Sequence, residues 1–218
     1  MALSKLKYNS LNVTAAANKG IGFDSDPDAL QADYTGGSII FIKKITASSD
    51  STISFVDGTS DVVLDNTYKE YLFTFNNIHP ATNSQKLQVG FRDGSTDYDA
   101  VKTTTYFGAY HYESDSDAAL GYFGSNDLAQ STAFQPLSSS VGNDNDQCCS
   151  GYLRLFNPSS TTFVKHFISQ VSDSSHDDAN DHTFVAGYCN TTTAIDAVQF
   201  KYASGNIDSG DICLYGIN

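Results

Sequence analysis

The sequence predicts an all-β protein, an antiparallel β-sandwich or jelly roll with at most one short helix. Three observations carry this. Apolar and polar residues alternate with period two from Ser38 onward. The segments between are rich in Gly, Asn, Asp, Ser and Pro, at the close spacing that short strands and turns require. A helical period of 3.6 is nearly absent.

Taken in order, Ser38–Thr46 (SIIFIKKIT) is a β-branched run, and Ser51–Phe55 leads into a Val56-Asp57-Gly58 turn. Tyr68–Asn77 sets Tyr71, Phe73 and Phe75 on one face, and His79-Pro80 reads as a turn beyond it. Lys86–Arg92 alternates cleanly, with Leu87, Val89 and Phe91 inward and Lys86, Gln88 and Arg92 outward, before Asp93-Gly94 turns the chain. Thr104–Tyr112 places Tyr106, Tyr110 and Tyr112 on one face and Phe107 and Ala109 on the other. Ser116–Tyr122 (SDAALGY) is the one helical expectation, about two turns capped by Ser114 or Ser116. Gly151–Phe156, Thr162–Val171, Phe184–Cys189, Ala194–Tyr202 and Asp211–Ile217 complete the strands, with Asn157-Pro158-Ser159-Ser160 as the clearest turn. Two polar acidic segments, Ser138–Ser150 and Asp173–Asp181, are expected as exposed loops. The closing strand is expected to be tied into a sheet, because loose ends fray.

The 218 residues suit one large β domain or two small ones tightly joined. They carry 25 acidic and 12 basic side chains, a net charge of -13. A phosphate backbone or an anionic membrane surface would repel such a chain, so neither nucleic acid nor membrane insertion is expected. Lys5, Lys7 and Lys19 lie in the first nineteen residues, which contain no acid. They are the candidate attachment residues toward an acidic partner, with a short solvated arm as the alternative. Met1–Lys7 is not followed by the apolar core of a signal peptide, and synthesis in the cytoplasm is expected. Cys148, Cys149, Cys189 and Cys213 fit no zinc spacing and read as free thiols.

No nucleophile elbow, paired-histidine zinc motif or phosphate loop is present, and Glu70 and Glu113 are the only glutamates. A non-enzymatic protein without cofactors is expected. Asp24, Asp26 and Asp28 alternate around Pro27. They are candidate Ca²⁺ ligands if the loop curls, and otherwise an Asp-rich turn. His176 and His182 share the acidic segment with Asp177, Asp178 and Asp181, which reads as a solvated loop before a metal site. Tyr106, Tyr110 and Tyr112 are the candidate ligand-binding row. Aromatic faces stack on sugar rings, and the alternative is a half-buried sheet face or a subunit interface.

The opening MALSKLKYNSLNVT, Tyr68–Phe73 with Asn77-Ile78-His79-Pro80, Leu155–Ser160 and the closing Gly210-Asp211-Ile212-Cys213-Leu214-Tyr215-Gly216-Ile217 resemble small virion proteins of marine and cyanobacterial bacteriophages. No functional residues come with that resemblance. It implies a virion-surface component with an attachment segment over residues 1–35 and a sandwich body over 36–218. Its partners would be other tail or capsid proteins and further copies of itself, with a trimer favoured. A tail-fibre or receptor-binding part touching host surface glycans is the first expectation, and a capsid decoration protein the alternative. A polysaccharide-degrading enzyme comes third and would require paired carboxylates in one cleft.

Overall fold

The computed structural model describes residues 20–23, 30–34 and 38–218. The chain divides into two compact units, Met1–Ile40 and Phe41–Asn218. The first contains an antiparallel pair, β1 (Gly20–Phe23) and β2 (Leu30–Tyr34).

Strands β3 to β14 form two antiparallel sheets. They are β3 (Ile39–Thr46), β4 (Ile53–Val56), β5 (Glu70–Pro80), β6 (Leu87–Arg92), β7 (Lys102–Tyr112), β8 (Ala118–Tyr122), β9 (Gln135–Pro136), β10 (Cys149–Phe156), β11 (Lys165–Ser174), β12 (Ala179–Cys189), β13 (Ala197–Tyr202) and β14 (Ile207–Ile217). The large sheet has the order β3-β14-β5-β10-β11-β12-β7-β8 and the small sheet β4-β13-β6-β9. The expected sandwich is therefore present, as eight strands on four. These orders do not establish a jelly roll, whose eight strands make two Greek keys.

Alternation explains the core. Tyr71, Phe73 and Phe75 of β5, Leu153 and Leu155 of β10 and Phe167 and Val171 of β11 are all buried on one side of the large sheet. They meet Phe55 of β4, Leu87, Val89 and Phe91 of β6, and Val198 and Phe200 of β13. Phe200 is the hub: its ring lies 5.2 Å from Phe75, 5.4 Å from Phe73 and 6.4 Å from Phe55, each edge-on. Such geometry sets the positive ring edge on the negative face. Phe91 and Phe167 close the sheets together at 4.9 Å.

Three expectations are corrected. Ser116–Tyr122 is not helical: Ala118–Tyr122 is strand β8, paired with Phe107–His111. Ala and Leu favour a helix, but a short one is marginal alone and the exposed β7 edge supplies a ladder. His79-Pro80 is not a turn, because β5 continues through it and Pro80 still opposes Ile207. A bulge makes this possible: Asn77 takes φ 51°, Gly210 opposite takes φ 112°, and the β5–β14 register shifts there. A Cβ on Gly210 would also lie 2.4 Å from the Asn77 carbonyl oxygen, so only glycine fits.

Asp173–Asp181 is the third correction. It is not an exposed loop but the two ends of a hairpin whose tip is only residues 175–178. Asp173 continues the inward parity of Phe167, Ser169 and Val171, and is 2 % exposed.

Two lysines are also fully buried. Lys102 Nζ donates to the Ala100 carbonyl at 2.7 Å, and Lys165 Nζ to the carbonyls of Thr193 and Thr191 at 2.6 and 3.1 Å. Burial pushes the pKa of both below the usual lysine value.

Candidate functional site

The outer face of the large sheet is the surface that the alternation leaves for function. Its outward residues are Thr103, Thr105, Phe107, Ala109 and His111 on β7, and Asn180, His182, Phe184, Ala186 and Tyr188 on β12. His166, Ile168, Gln170, Ser172 and Ser174 follow on β11, then Ser150, Tyr152, Arg154 and Phe156 on β10. None of these is a carboxylate, although the chain has 25 Asp and Glu. Arg154 pairs with Glu70 at the start of β5 (3.1 Å) and lies 5.9 Å from the Tyr152 ring centroid.

Aromatic side chains hold one another across this face. Phe107 and Phe184 stack with rings parallel within 3° and centroids 5.0 Å apart, and His182 lies 4.5 Å from Phe184. His166 and Tyr188 form a further pair at 5.9 Å. Phe107 is 42 % exposed and Ile168 45 %, so the patch is apolar and open to solvent.

Three shallow grooves cross the same face. One, of about 420 Å³, runs between Thr105 and His166, and another, of about 340 Å³, between Thr74 and Arg154. The largest, about 670 Å³, lies at one end of the sheet. Ser150, Ser172, Ser174 and Asn180 line it together with His111, Tyr112, Glu113 and Asp115, and the buried Asp173 borders it as well. Hydrogen bonds fix this rim: Ser172 to Asn180 at 3.1 Å, Tyr112 Oη to Asp177 at 3.0 Å and Tyr110 Oη to Asp117 at 2.8 Å. His111 Nε2 lies 3.1 Å from Asp115. Both tyrosine hydroxyls are held protonated above their usual range, first of all by donating to these carboxylates.

The expected tyrosine row is thus real as a shared face, but the face points inward. Tyr106 is 1 % exposed and belongs to the core, so it cannot stack on a sugar. Tyr110 and Tyr112 are half-buried, at the end of the alternation in β7. Of the three, only Tyr112 lines the large groove.

On the inward side of β11 and β12 lies a pair of carboxyls expected from the sequence in an exposed loop. Asp173 and Asp181 face each other across β11 and β12. Asp173 Oδ1 accepts from the Ser139 backbone N–H at 3.1 Å, while its Oδ2 and the Tyr106 hydroxyl are buried without partners. Burial, then the charge of Asp181, pushes the Asp173 carboxyl up to about 8. Burial raises Asp181 as well. The adjoining cavity, lined by Tyr106, Tyr110, Phe123, Ser139, Asp181 and Thr183, holds only about 90 Å³.

Comparison with protein-family models, with curated proteins and with solved structures finds no match. The site must be read from its own chemistry.

Among the described residues no group of three or more His, Cys, Asp or Glu is arranged to hold a metal. His176 lies 3.7 Å from Asp177 at the hairpin tip, while His182 is on the outer sheet face. Topology therefore separates the two histidines that the sequence had grouped. All four cysteines are free thiols, as expected, with Cys149, Cys189 and Cys213 buried. Burial raises the Cys189 thiol to about 12. Asp24, Asp26 and Asp28, together with Lys5, Lys7 and Lys19, lie outside the described residues.

The groove was missed because Ser150, Ser172 and Asn180 are ordinary polar residues on different strands. Asp173 carried a readable signal, its even spacing from Val171 and Phe167 on an inward face.

Proposed function

We propose that this chain is a non-enzymatic bacteriophage virion-surface protein, a tail-fibre or receptor-binding component that meets host surface glycans. The supporting observation is the outer face of the large sheet, where aromatic side chains and a broad polar groove lie on strands whose outward positions hold no carboxylate. Carbohydrate recognition uses this pairing: ring faces stack on the apolar faces of sugars, and amide, hydroxyl and carboxylate groups bind their hydroxyls. The resemblance of the chain ends and of three internal segments to phage virion proteins supports the particle assignment.

Paired carboxylates exist here, but their geometry favours a structural role. Asp173 borders the large groove but is only 2 % exposed, and its partner Asp181 borders a separate cavity of about 90 Å³, far below the roughly 300 Å³ at which ligand pockets begin, so the two carboxyls do not share one open cleft.

The particle assignment is tested by quantitative mass spectrometry of purified virions of the encoding phage against the major capsid protein. A small count per particle is expected. A count near that of the capsid protein would move the protein to a decoration role, and absence from the particle would overturn the reading.

Glycan contact is tested separately with fluorescently labelled protein on host cells. Binding is expected, with loss after periodate oxidation of surface sugars. Tyr112→Ala should weaken it about tenfold, the equivalent of about 1.4 kcal/mol. Binding that survives periodate would rule glycan out.

A further inference from the structure

The large sheet ends in two unlike edges. β3 carries Lys43 and Lys44, charges that discourage another strand from pairing. In the small sheet, β4 is only four residues long, and β9 is two residues with Pro136 as one of them. Among the described residues β8 has no such protection. Its sequence, Ala118-Ala119-Leu120-Gly121-Tyr122, contains no charge and no proline, and Leu120 and Tyr122 are 74 % and 58 % exposed.

The hydrogen-bond phase of β8 identifies which backbone groups stand open. Phe123 N–H donates to the Tyr106 carbonyl at 3.0 Å, and Tyr112 N–H to the Asp117 carbonyl at 3.1 Å. In an antiparallel ladder, bonded and non-bonded pairs alternate. Gly121 and Ala119 therefore bond toward β7, through Gly108 and Tyr110. Ala118, Leu120 and Tyr122 then direct both N–H and C=O away from β7, to the free edge.

We propose that β8 pairs with β8 of a second copy of this chain, antiparallel about a two-fold axis through Leu120. In that register Leu120 meets its own counterpart, and Ala118 meets Tyr122 of the other copy. Each open N–H then finds an open C=O, because the same three residues are in bonding phase on both strands. Small stands opposite large at Ala118 and Tyr122, and Ala119 stands opposite Gly121, so the side chains also fit themselves.

Charge selects the same occupant. Two chains of net charge -13 repel, and an uncharged strand is where they can approach. The nearby carboxylates Asp117 and Asp127 accept from Tyr110 and Tyr122 hydroxyls. Phe107 and Phe184, beside Tyr122 on the outer face, extend the apolar contact. The pairing follows from the edge strand alone and stands whether or not the protein belongs to a phage particle.

Sedimentation velocity of the full chain at micromolar concentration tests it. The expected mass is twice 23.5 kDa, with the dimer tightened by salt as the like charges are screened. Leu120→Lys should give a folded monomer whose melting temperature no longer depends on protein concentration, since the side chain is exposed and only the dimer is lost. Register is tested by cysteine: Leu120→Cys should cross-link on mild oxidation, because opposed Cα atoms about 5.5 Å apart suit a disulfide. Ala119→Cys should not, being diagonal to its counterpart. A monomer at all concentrations, a trimer indifferent to Leu120→Lys, or equal cross-linking by both cysteines would overturn the pairing.

Discussion

Asp173→Asn is expected to flatten the dependence of stability on pH and to make the protein more stable than wild type at pH 8, by about 5 kcal/mol. In the unfolded chain an aspartate titrates near 3.9. In the folded chain, burial and Asp181 raise Asp173 to about 8. The folded state therefore holds a proton there that the unfolded state releases. Its stabilising effect is complete below about pH 4 and is lost as pH rises through 8. Asn is neutral throughout and nearly the same shape as the protonated acid. The groups facing Asp173 come from four sides: Asp181 of β12, Tyr106 of β7, Cys149 of β10 and Tyr202 of β13. Urea titrations of both proteins at pH 5, 6.5 and 8 isolate the residue, because every other carboxyl is common to the two. Parallel profiles would show that Asp173 is ionised in the fold.

Phe200→Ala should be the most damaging single core change, costing about 4 kcal/mol. The side chain is fully buried and is the shared neighbour of Phe55, Phe73 and Phe75, so its removal opens a hole lined by rings from both sheets. Three edge-to-face contacts vanish with it, while those rings cannot collapse inward without leaving their own strand positions. The midpoint of urea unfolding should fall with little change in slope. A loss under 1 kcal/mol would mean that the sheets slide to refill the space.

What the sequence revealed follows the reach of its signals. Lys86–Arg92 was legible because one residue in two is apolar, and the strand is found as Leu87–Arg92. Ala118–Tyr122 was not, because its state is decided by a neighbour and not by its own composition. Asp173 misled through its company: Ser, His and Asp follow it, yet its parity ties it to Val171 and the core. Tyr110 and Tyr112 were correctly set on one face, but which face turns to solvent depends on the sheet laid across it. The large groove gathers Ser150, Ser172, Asn180 and His111 from four strands, and only register brings them together.

The position of β14 has a consequence for how the molecule comes into being. It lies between β3 and β5, pairing with β5 from Glu70 to Pro80, although well over a hundred residues separate them along the chain. Until Ile207–Ile217 has left the ribosome, β3 lacks its partner among the described strands and one flank of β5 is bare. Synthesis therefore passes through a stage in which apolar strand edges wait, a stage that favours both slow closure and adhesion between nascent chains. The hairpins of β10, β11 and β12 can form earlier, since each joins neighbours in sequence. Ile207–Ile217 thus act as the wedge that closes a half-built sheet.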